Sequence, residues 1–227
     1  MILGNICTRS CGFCNVQTGS PLPVDELEPF KVARSINIMG VKHAVITSVD
    51  RDDIKDGGSI IWAETVKAIR DLNPNTTIET LIPDFKGETE NIDRIIKVAP
   101  EVVSHNLETV RRLTKVVRIQ AKYDRSLEVL KYLKESGISR TKSGVMLGLG
   151  EKREEVLETL DDLRRVGVDI VTLGQYLQPS KKHLPVVDFI TPGEFKEYEI
   201  IGKEMGFRHV ESGPLVRSSY KAHKHIH

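Results

Sequence analysis

Short apolar runs alternate with amphipathic segments along nearly the whole chain, and this alternation constrains the fold more than any other feature of the sequence. Runs of strand length are separated by segments whose apolar residues recur every three or four positions, as in residues 60–72. This pattern predicts parallel βα units, because parallel strands need a crossover connection between them. We count six units, with strands predicted at residues 1–6, 44–49, 77–82, 102–105, 144–147 and 169–173.

Six units rather than eight predict an α/β fold of the open type, a partial (β/α)6 TIM-type barrel. Right-handed crossovers would place the helices outside and the loops that follow the strands at one mouth. No glycine- or serine-rich linker interrupts the units, so we expect one domain, with a core over residues 1–211 and a C-terminal tail over residues 212–227 packed on it. The tail has little to bury and is expected to be solvated by default, and we assign no role to its histidines, His223, His225 and His227.

All three cysteines of the chain lie between Cys7 and Cys14, in the spacing C-x3-C-x2-C, with Phe13 before the last one. Three thiolates this close together indicate one metal centre. A structural zinc site usually has four Cys or His ligands, whereas an iron–sulfur cubane bound by three cysteines keeps one iron free for another ligand. Zinc, or three unrelated reduced thiols, are the alternatives that spacing alone leaves open.

Composition narrows the class of protein. The net charge of +1, with 29% charged residues, does not favour a nucleic-acid-binding protein. No apolar run approaches the roughly 20 residues of a membrane span, and no signal peptide is evident. An odd, clustered set of cysteines fits a reducing compartment, so we expect a cytoplasmic protein.

Polar residues follow several predicted strands, where a barrel places its chemistry. Thr47 and Ser48 lie with acidic residues after one strand, and Asn106 and Glu108 follow another. Each group could bind a polar ligand, but a polar helix N-terminus or a helix cap explains the same residues equally well. His105 by itself is expected to be structural. Residues 144–151 combine glycines, which let a ligand approach the backbone, with the apolar side chain of Met146.

The cysteine loop resembles that of the radical S-adenosylmethionine (SAM) enzymes, and residues 144–151 match their G-x-[aliphatic]-x-G-x-x-E pattern. Over nearly all 227 residues the chain is similar to the lipoyl synthase family. The segments that carry the resemblance are residues 1–4 leading into the cysteine loop, 48–53 with Asp56-Gly57-Gly58, Ile82-Pro83-Asp84-Phe85 with Gly87, 105–110, 172–179 and 216–220.

The resemblance implies a radical SAM sulfurtransferase that inserts two sulfur atoms at C6 and C8 of a protein-bound octanoyl group. In the family, one electron cleaves SAM to methionine and a 5′-deoxyadenosyl radical, and a second, auxiliary [4Fe–4S] cluster is consumed as the sulfur source. By resemblance, Cys7, Cys11 and Cys14 bind the SAM cluster, Ser218 is a ligand of the auxiliary cluster and Arg217 lies beside it. The residues expected in the SAM pocket are Phe13, Thr47, Ser48, Asn106, Glu108, Arg118, Met146, Tyr176 and Leu177.

The chain departs from the family in one respect. The three cysteines that hold the auxiliary cluster precede the barrel in the family, and no cysteine outside Cys7–Cys14 is present here. Either the N-terminal start of the chain is misassigned or truncated, or the protein cleaves SAM without inserting sulfur. We favour truncation, because Arg217 and Ser218 would have no function without the auxiliary cluster.

The partners implied are an octanoylated lipoyl carrier protein or domain and an electron donor such as ferredoxin or flavodoxin, with no nucleic acid and no membrane. The competing hypotheses are another radical SAM reaction with a single cluster and a zinc-binding interaction module.

Overall fold

The computed structural model describes residues 1–226, and a six-stranded parallel sheet forms its centre. A separate pair of two-residue strands flanks the cysteine loop. In chain order the strands are β1 (Ile6–Cys7), β2 (Gln17–Thr18), β3 (His43–Thr47), β4 (Thr77–Leu81), β5 (Val102–Ser104), β6 (Thr141–Leu147), β7 (Ile170–Gln175) and β8 (His209–Gly213). The strands of the large sheet lie in the order β3-β4-β5-β6-β7-β8, and each neighbouring pair is parallel.

Helices connect the strands and cover the outside of the sheet. They are α1 (Glu28–Met39), α2 (Ser59–Leu72), α3 (Thr89–Val98), α4 (Arg111–Val117), α5 (Tyr123–Glu135), α6 (Arg153–Arg165) and α7 (Pro192–Glu204). Local chemistry sets several of their ends. Helix α7 begins with a capping box, in which Thr191 Oγ1 accepts from the Glu194 amide and the Glu194 side chain accepts from the Thr191 amide. Helix α1 ends at Gly40, whose φ of 61° is left-handed.

The number of strands in the barrel is as predicted, but the first predicted strand is wrong. Residues 1–6 do not form a strand of the large sheet, and Ile2 makes only a bridge to Ser48. Ile2 and Leu3 are buried, as the apolar run suggested, yet the left-handed φ of 67° at Leu3 and 89° at Gly4 turns the chain out of the extended conformation.

The sixth strand is β8 instead, which the sequence analysis missed. Val210 is the only buried residue in β8, so the strand has no apolar run that would reveal it. It ends at Gly213, so the first two residues of the predicted tail segment, residues 212–227, belong to the sheet.

The edges of the sheet, β3 and β8, are not paired with each other within residues 1–226, so the barrel is open as predicted. The core lies between the sheet and the helices, where Trp62, Ile69 and Leu160 are fully buried. No helix in the described part of the chain is long and apolar enough to cross a bilayer.

Part of the C-terminal tail packs on the barrel, in contrast to the default of a solvated tail. Val216 and Ala222 are buried, and a 3-10 helix, Ala222–Ile226, brings the fully buried side chain of His225 against the barrel. His227 lies outside the described residues.

Candidate active site

The backbone of the cysteine loop is fixed by three other segments at the mouth of the barrel. The Thr8 amide donates to Asp50 O over 3.1 Å, directly after β3. The Gly12 amide donates to Val117 O over 2.9 Å at the end of α4, and Gly12 O accepts from the Leu184 amide over 3.0 Å. The short ladder between β1 and β2 closes the loop at its base. The three cysteines are therefore held in place by elements that are distant in sequence.

Two adjoining cavities open at this mouth. The first, which we call the cysteine cavity, has a volume of about 310 Å³ and contains Cys7, Cys11 and Cys14. The second, the tail cavity, has a volume of about 300 Å³ and is bounded by β6, β7 and residues Val216, Arg217 and Ser218. Leu81, Phe13, Asn106 and Glu108 line both cavities. They thus form one continuous site.

The structure brings every site residue predicted from the sequence into these two cavities. Thr47, Ser48 and Arg118 join the cysteines in the cysteine cavity. Met146, Tyr176 and Leu177 line the tail cavity together with Arg217 and Ser218. The prediction that the loops after the strands converge at one mouth is confirmed for strands β3, β4, β5, β6 and β7.

The cysteine thiols are half-buried and unbonded to one another. Burial raises the pKa of all three, that of Cys11 to about 12, and the Asp50 carboxylate raises them further. The Arg9 and Asp50 amides point at Cys7 Sγ over 3.4 and 3.3 Å, which favours the thiolate there. Thiolates at these positions therefore need a bound cation, which is what a metal centre supplies.

Among residues 1–226, no group of three or more His, Cys, Asp or Glu side chains is arranged to hold one metal ion. In a tetrahedral zinc site every ligand bonds the same ion, whereas in an iron–sulfur cubane each thiolate bonds a different iron.

Arg9, between Cys7 and Cys11, is a site residue that the sequence analysis did not identify. Its side chain is 4% exposed, and it binds Asp52 through two hydrogen bonds of 2.7 and 3.0 Å and Asp84 through one of 2.6 Å. Asp50 lies 3.3 Å from the same guanidinium. Two features of the sequence could have revealed this network: the arginine that lies between two of the cysteines, and the acidic residues that follow strands β3 and β4.

The pKa values of two acids in this network, Asp84 and Asp50, are shifted in opposite directions. Burial by itself raises the pKa of Asp84, but the hydrogen bond and charge of Arg9 outweigh it and hold that pKa well below the usual range. At Asp50 burial prevails over Arg9, and the pKa rises to about 6. The network thus keeps Asp84 ionised and leaves Asp50, which lies 3.9 Å from Cys7 Sγ, sensitive to its surroundings.

Asn106 and Glu108 occupy the boundary between the cavities. Glu108 has a left-handed φ of 63°, held by backbone bonds from its amide to Gly144 O and from the Met146 amide to its own carbonyl. Such backbone costs of order 1–3 kcal/mol and is found where a side chain must be aimed. The side-chain amide of Asn106 donates from Nδ2 to Glu108 Oε1 over 2.9 Å. A Cβ on Gly144 would lie 3.0 Å from Asn106 Oδ1, so glycine is needed for this approach.

Two buried oxygens in the cysteine cavity lack partners. Ser48 Oγ and Asn106 Oδ1 make no hydrogen bond within residues 1–226, although neither is exposed to solvent. Buried polar atoms are nearly always paired in folded proteins. These atoms are therefore suited to a polar ligand in the cavity.

Apolar and aromatic side chains line the other side of the site. Tyr176 is 2% exposed, and its hydroxyl donates to Leu184 O over 2.7 Å, so its ring rather than its hydroxyl faces the tail cavity. Phe13, Met146 and Leu184 pack around it. His183 Nε2 lies 3.1 Å from Cys14 O, so the loop after β7 also supports the cysteine loop.

His105 is structural, as expected. Its ring lies between Ile82 O and Ser126 Oγ, each 2.9 Å away. Burial and the charge of Arg118 lower its pKa to about 4, so the imidazole is neutral. Arg118 itself is buried and donates to Leu107 O over 3.0 Å.

Comparisons with known proteins agree on a family. The model of the radical SAM superfamily matches residues 1–163. The mitochondrial lipoyl synthase of Nematostella vectensis is 76% identical over 227 residues, which are 100% of this chain and 78% of that protein. The lipoyl synthase of Christiangramia forsetii is 75% identical over 226 residues, covering 100% of this chain and 77% of the relative.

Solved structures share the fold at low sequence identity. The [FeFe]-hydrogenase maturase HydG superimposes with a TM-score of 0.72 at 18% identity, over 98% of this chain and 52% of HydG. Methylornithine synthase (PylB) gives 0.69 at 14% identity, over 92% of this chain and 62% of that one.

Proposed function

Since the chain belongs to the lipoyl synthase family of the radical SAM superfamily, we propose that the two adjoining cavities are the site of its reaction. The protein is a sulfurtransferase that inserts two sulfur atoms at C6 and C8 of a protein-bound octanoyl group, which forms the lipoyl cofactor. The assignments that follow concern which of its own residues serve each part of that reaction.

Cys7, Cys11 and Cys14 hold a [4Fe–4S] cluster in the cysteine cavity. Two observations support this: the thiols line one cavity, and burial raises their pKa, so that thiolates there need a cation beside them. Bound there, the cluster and SAM supply reductive cleavage of SAM and hydrogen abstraction from the octanoyl chain. The chain itself keeps the cysteine loop in place through Arg9, which binds Asp52 and Asp84.

SAM occupies the boundary of the two cavities. Its amino-acid end is polar, and Ser48 and Asn106 offer the unpartnered oxygens for it, beside Thr47 and the carboxylate of Glu108. Arg118 places a positive charge near the Glu108 carboxylate. The flat, less polar adenine of SAM suits the tail cavity, where aromatic and aliphatic surface is provided by Phe13, Met146, Tyr176 and Leu177.

Arg217 and Ser218 act at the mouth of the tail cavity, with Ser218 Oγ as a ligand for a second cluster. The residues of this chain do not form a complete site for that cluster, since the only cysteines are the three in the loop. A hydroxyl is a harder ligand for iron than a thiolate, which suits a cluster that has to be dismantled.

The partners that fit this assignment are an octanoylated lipoyl carrier protein or domain, as substrate, and a one-electron donor such as ferredoxin or flavodoxin. We place the protein in the cytoplasm, because three half-buried reduced thiols at a cluster site fit a reducing compartment.

One observation carries the proposal: Phe13, Asn106 and Glu108 line both cavities, so the cysteines and the tail face one space. Anaerobic reconstitution tests it. We expect about four irons per chain and release of methionine and 5′-deoxyadenosine on reduction with SAM. Cys11→Ala should abolish both, whereas Ser10→Ala, on the same loop, should not.

The products of the reaction distinguish sulfur insertion from SAM cleavage alone. Lipoyl product on an octanoylated peptide, in the absence of any added sulfur donor, would show that these residues suffice for sulfur insertion. SAM cleavage without that product would favour a reaction confined to the single cluster. Bound zinc in a colourless protein, or SAM cleavage unaffected by Cys11→Ala, would contradict the proposal.

A further inference from the structure

His225 is the buried one of the two tail histidines that the structure describes, and the sequence analysis assigned it no role. Its side chain is 0% exposed, while His223, two residues earlier in the same 3-10 helix, is exposed. Ala222 is buried on the same side of this short helix. The helix therefore presents one face to the barrel, and His225 is its polar residue on that face.

His225 binds an ion pair inside the barrel. Lys142 Nζ lies 2.7 Å from Glu79 Oε1, and both side chains are 0% exposed. The same ammonium lies 3.4 Å from His225 Nδ1. An ammonium can only donate, so Nδ1 accepts and the imidazole is neutral with its proton on Nε2. Nε2 lies 4.0 Å from Glu211 Oε1 in β8.

These contacts place the tail across the open edge of the barrel. The 3-10 helix contacts β3, at one edge of the sheet. At the other edge, in β8, the His209 ring lies 5.5 Å from the His225 ring, and Lys221 Nζ lies 3.8 Å from Glu211 Oε2. His43 and His209 begin their strands, so His225 docks at the amino-terminal end of the barrel.

The other end of the tail lies at the opposite, carboxyl end of the strands. Arg217 Nη1 donates to Gln175 O over 3.4 Å at the end of β7. Val216 O packs so closely on Gly174 that a Cβ there would lie 2.2 Å away. Arg217 and Ser218 follow directly and line the tail cavity. The segment that carries them thus spans the length of the barrel and is held at both ends.

We propose that His225 is a positioning residue for the reaction: by docking on the Lys142–Glu79 pair, it fixes the tail across the open edge and so holds Arg217 and Ser218 at the mouth. The inference rests on the proposed function for the importance of those two residues. The mechanical part, that His225 orders residues 214–221, stands on the geometry alone.

Amide hydrogen exchange of the reconstituted protein tests the mechanical part. His225→Ala should raise amide exchange of residues 215–221 by about tenfold or more, which corresponds to about 1.4 kcal/mol of local opening, while exchange in strands β4–β7 stays unchanged. His223→Ala is the matched control and should leave the tail as in the unmodified protein. His225→Asn should restore order, because its Oδ1 can accept from Lys142 where Nδ1 does.

Removing a buried side chain could instead prevent folding, so a second variant is needed. His225→Leu fills the volume but cannot accept a hydrogen bond from Lys142, and it should free the tail as His225→Ala does. Tail exchange within about twofold of the unmodified protein in both variants, or an equal rise in all strands, would overturn the proposal. The result is read without substrate, so it is independent of whether the protein forms lipoyl product.

Discussion

Arg9 Nη2 donates to Asp84 Oδ1 over 2.6 Å, and this contact joins the cysteine loop to the loop that follows β4. Neither side chain is more than 4% exposed. Because the same guanidinium also binds Asp52 through two hydrogen bonds, one residue of the cysteine loop fixes it against two strands of the barrel. The position of the three cysteines therefore depends on a residue of their loop that is not itself a cysteine.

Arg9→Met should lower the free energy of unfolding by about 3 kcal/mol. It removes the nearer of the two arginines that pair with the buried Asp84 carboxylate, since Arg125 remains 3.4 Å away, and it removes the counter-charge of the partly buried Asp52. It should also reduce the iron retained after reconstitution. Denaturant unfolding and iron analysis measure the two effects. Arg165→Met, at an exposed pair with Asp161, should cost less than about 1 kcal/mol. Equal costs at the two positions would contradict the role of Arg9.

Asn106→Ala should weaken SAM binding while the cluster is retained. Removing the unpartnered Oδ1 takes away one hydrogen bond, worth about 1 kcal/mol, which is roughly a fivefold rise in Kd. Isothermal titration with SAM on the reconstituted protein measures it. Asn37→Ala, on an exposed part of α1, is the control. An unchanged Kd in Asn106→Ala would place SAM elsewhere.

Gly174→Ala and Gly213→Ala form a matched pair, because the two glycines are register partners on β7 and β8. A Cβ on Gly174 would lie 2.2 Å from Val216 O, whereas on Gly213 it would meet Val216 Cγ2 at an ordinary 3.5 Å. We expect Gly174→Ala to cost about 1–3 kcal/mol and to displace the tail. Gly213→Ala should cost less. Thermal unfolding and tryptic cleavage after Arg217 report the two effects.

Acid should release the tail. Burial, and then the charge of Lys142, lower the pKa of His225 to about 4, below the value near 6.5 of an unfolded chain. The unfolded state then binds the extra proton, so the stabilisation is present above pH 6.5 and is lost as pH falls toward 4, by about 1.4 kcal/mol per unit. The groups that face His225 are Lys142 on β6, Glu79 on β4, His209 and Glu211 on β8, and His43 on β3.

Comparison with His225→Asn isolates this effect, because asparagine does not titrate. The difference in unfolding free energy between the two proteins should shift in favour of the variant between pH 6.5 and 4. His105 contributes with the same sign and Asp50, whose pKa is raised to about 6, with the opposite sign, but both are present in each protein and cancel. A difference independent of pH would show that His225 is already charged or exposed at neutral pH.

The alternating pattern predicted the open barrel well but misplaced one of its strands. Apolar runs identify strands that are buried, such as β7, in which all six residues are buried. They fail at β8, with one buried residue, and they mislead at Leu3, where a left-handed turn ends a run that is buried without being a strand. Burial and extended conformation are different properties, and periodicity reports mainly the first.

The sequence by itself predicted the cysteine loop and the end of the barrel at which the candidate site residues meet. Ligand spacing and the alternation of strands and helices are local properties, and local properties can be read along a chain. Only the tertiary structure decided which distant residues support the site. Arg9 meets Asp84 across 75 positions and Lys142 meets His225 across 83, and these pairings exist because strand order and the open edge of the barrel bring them together.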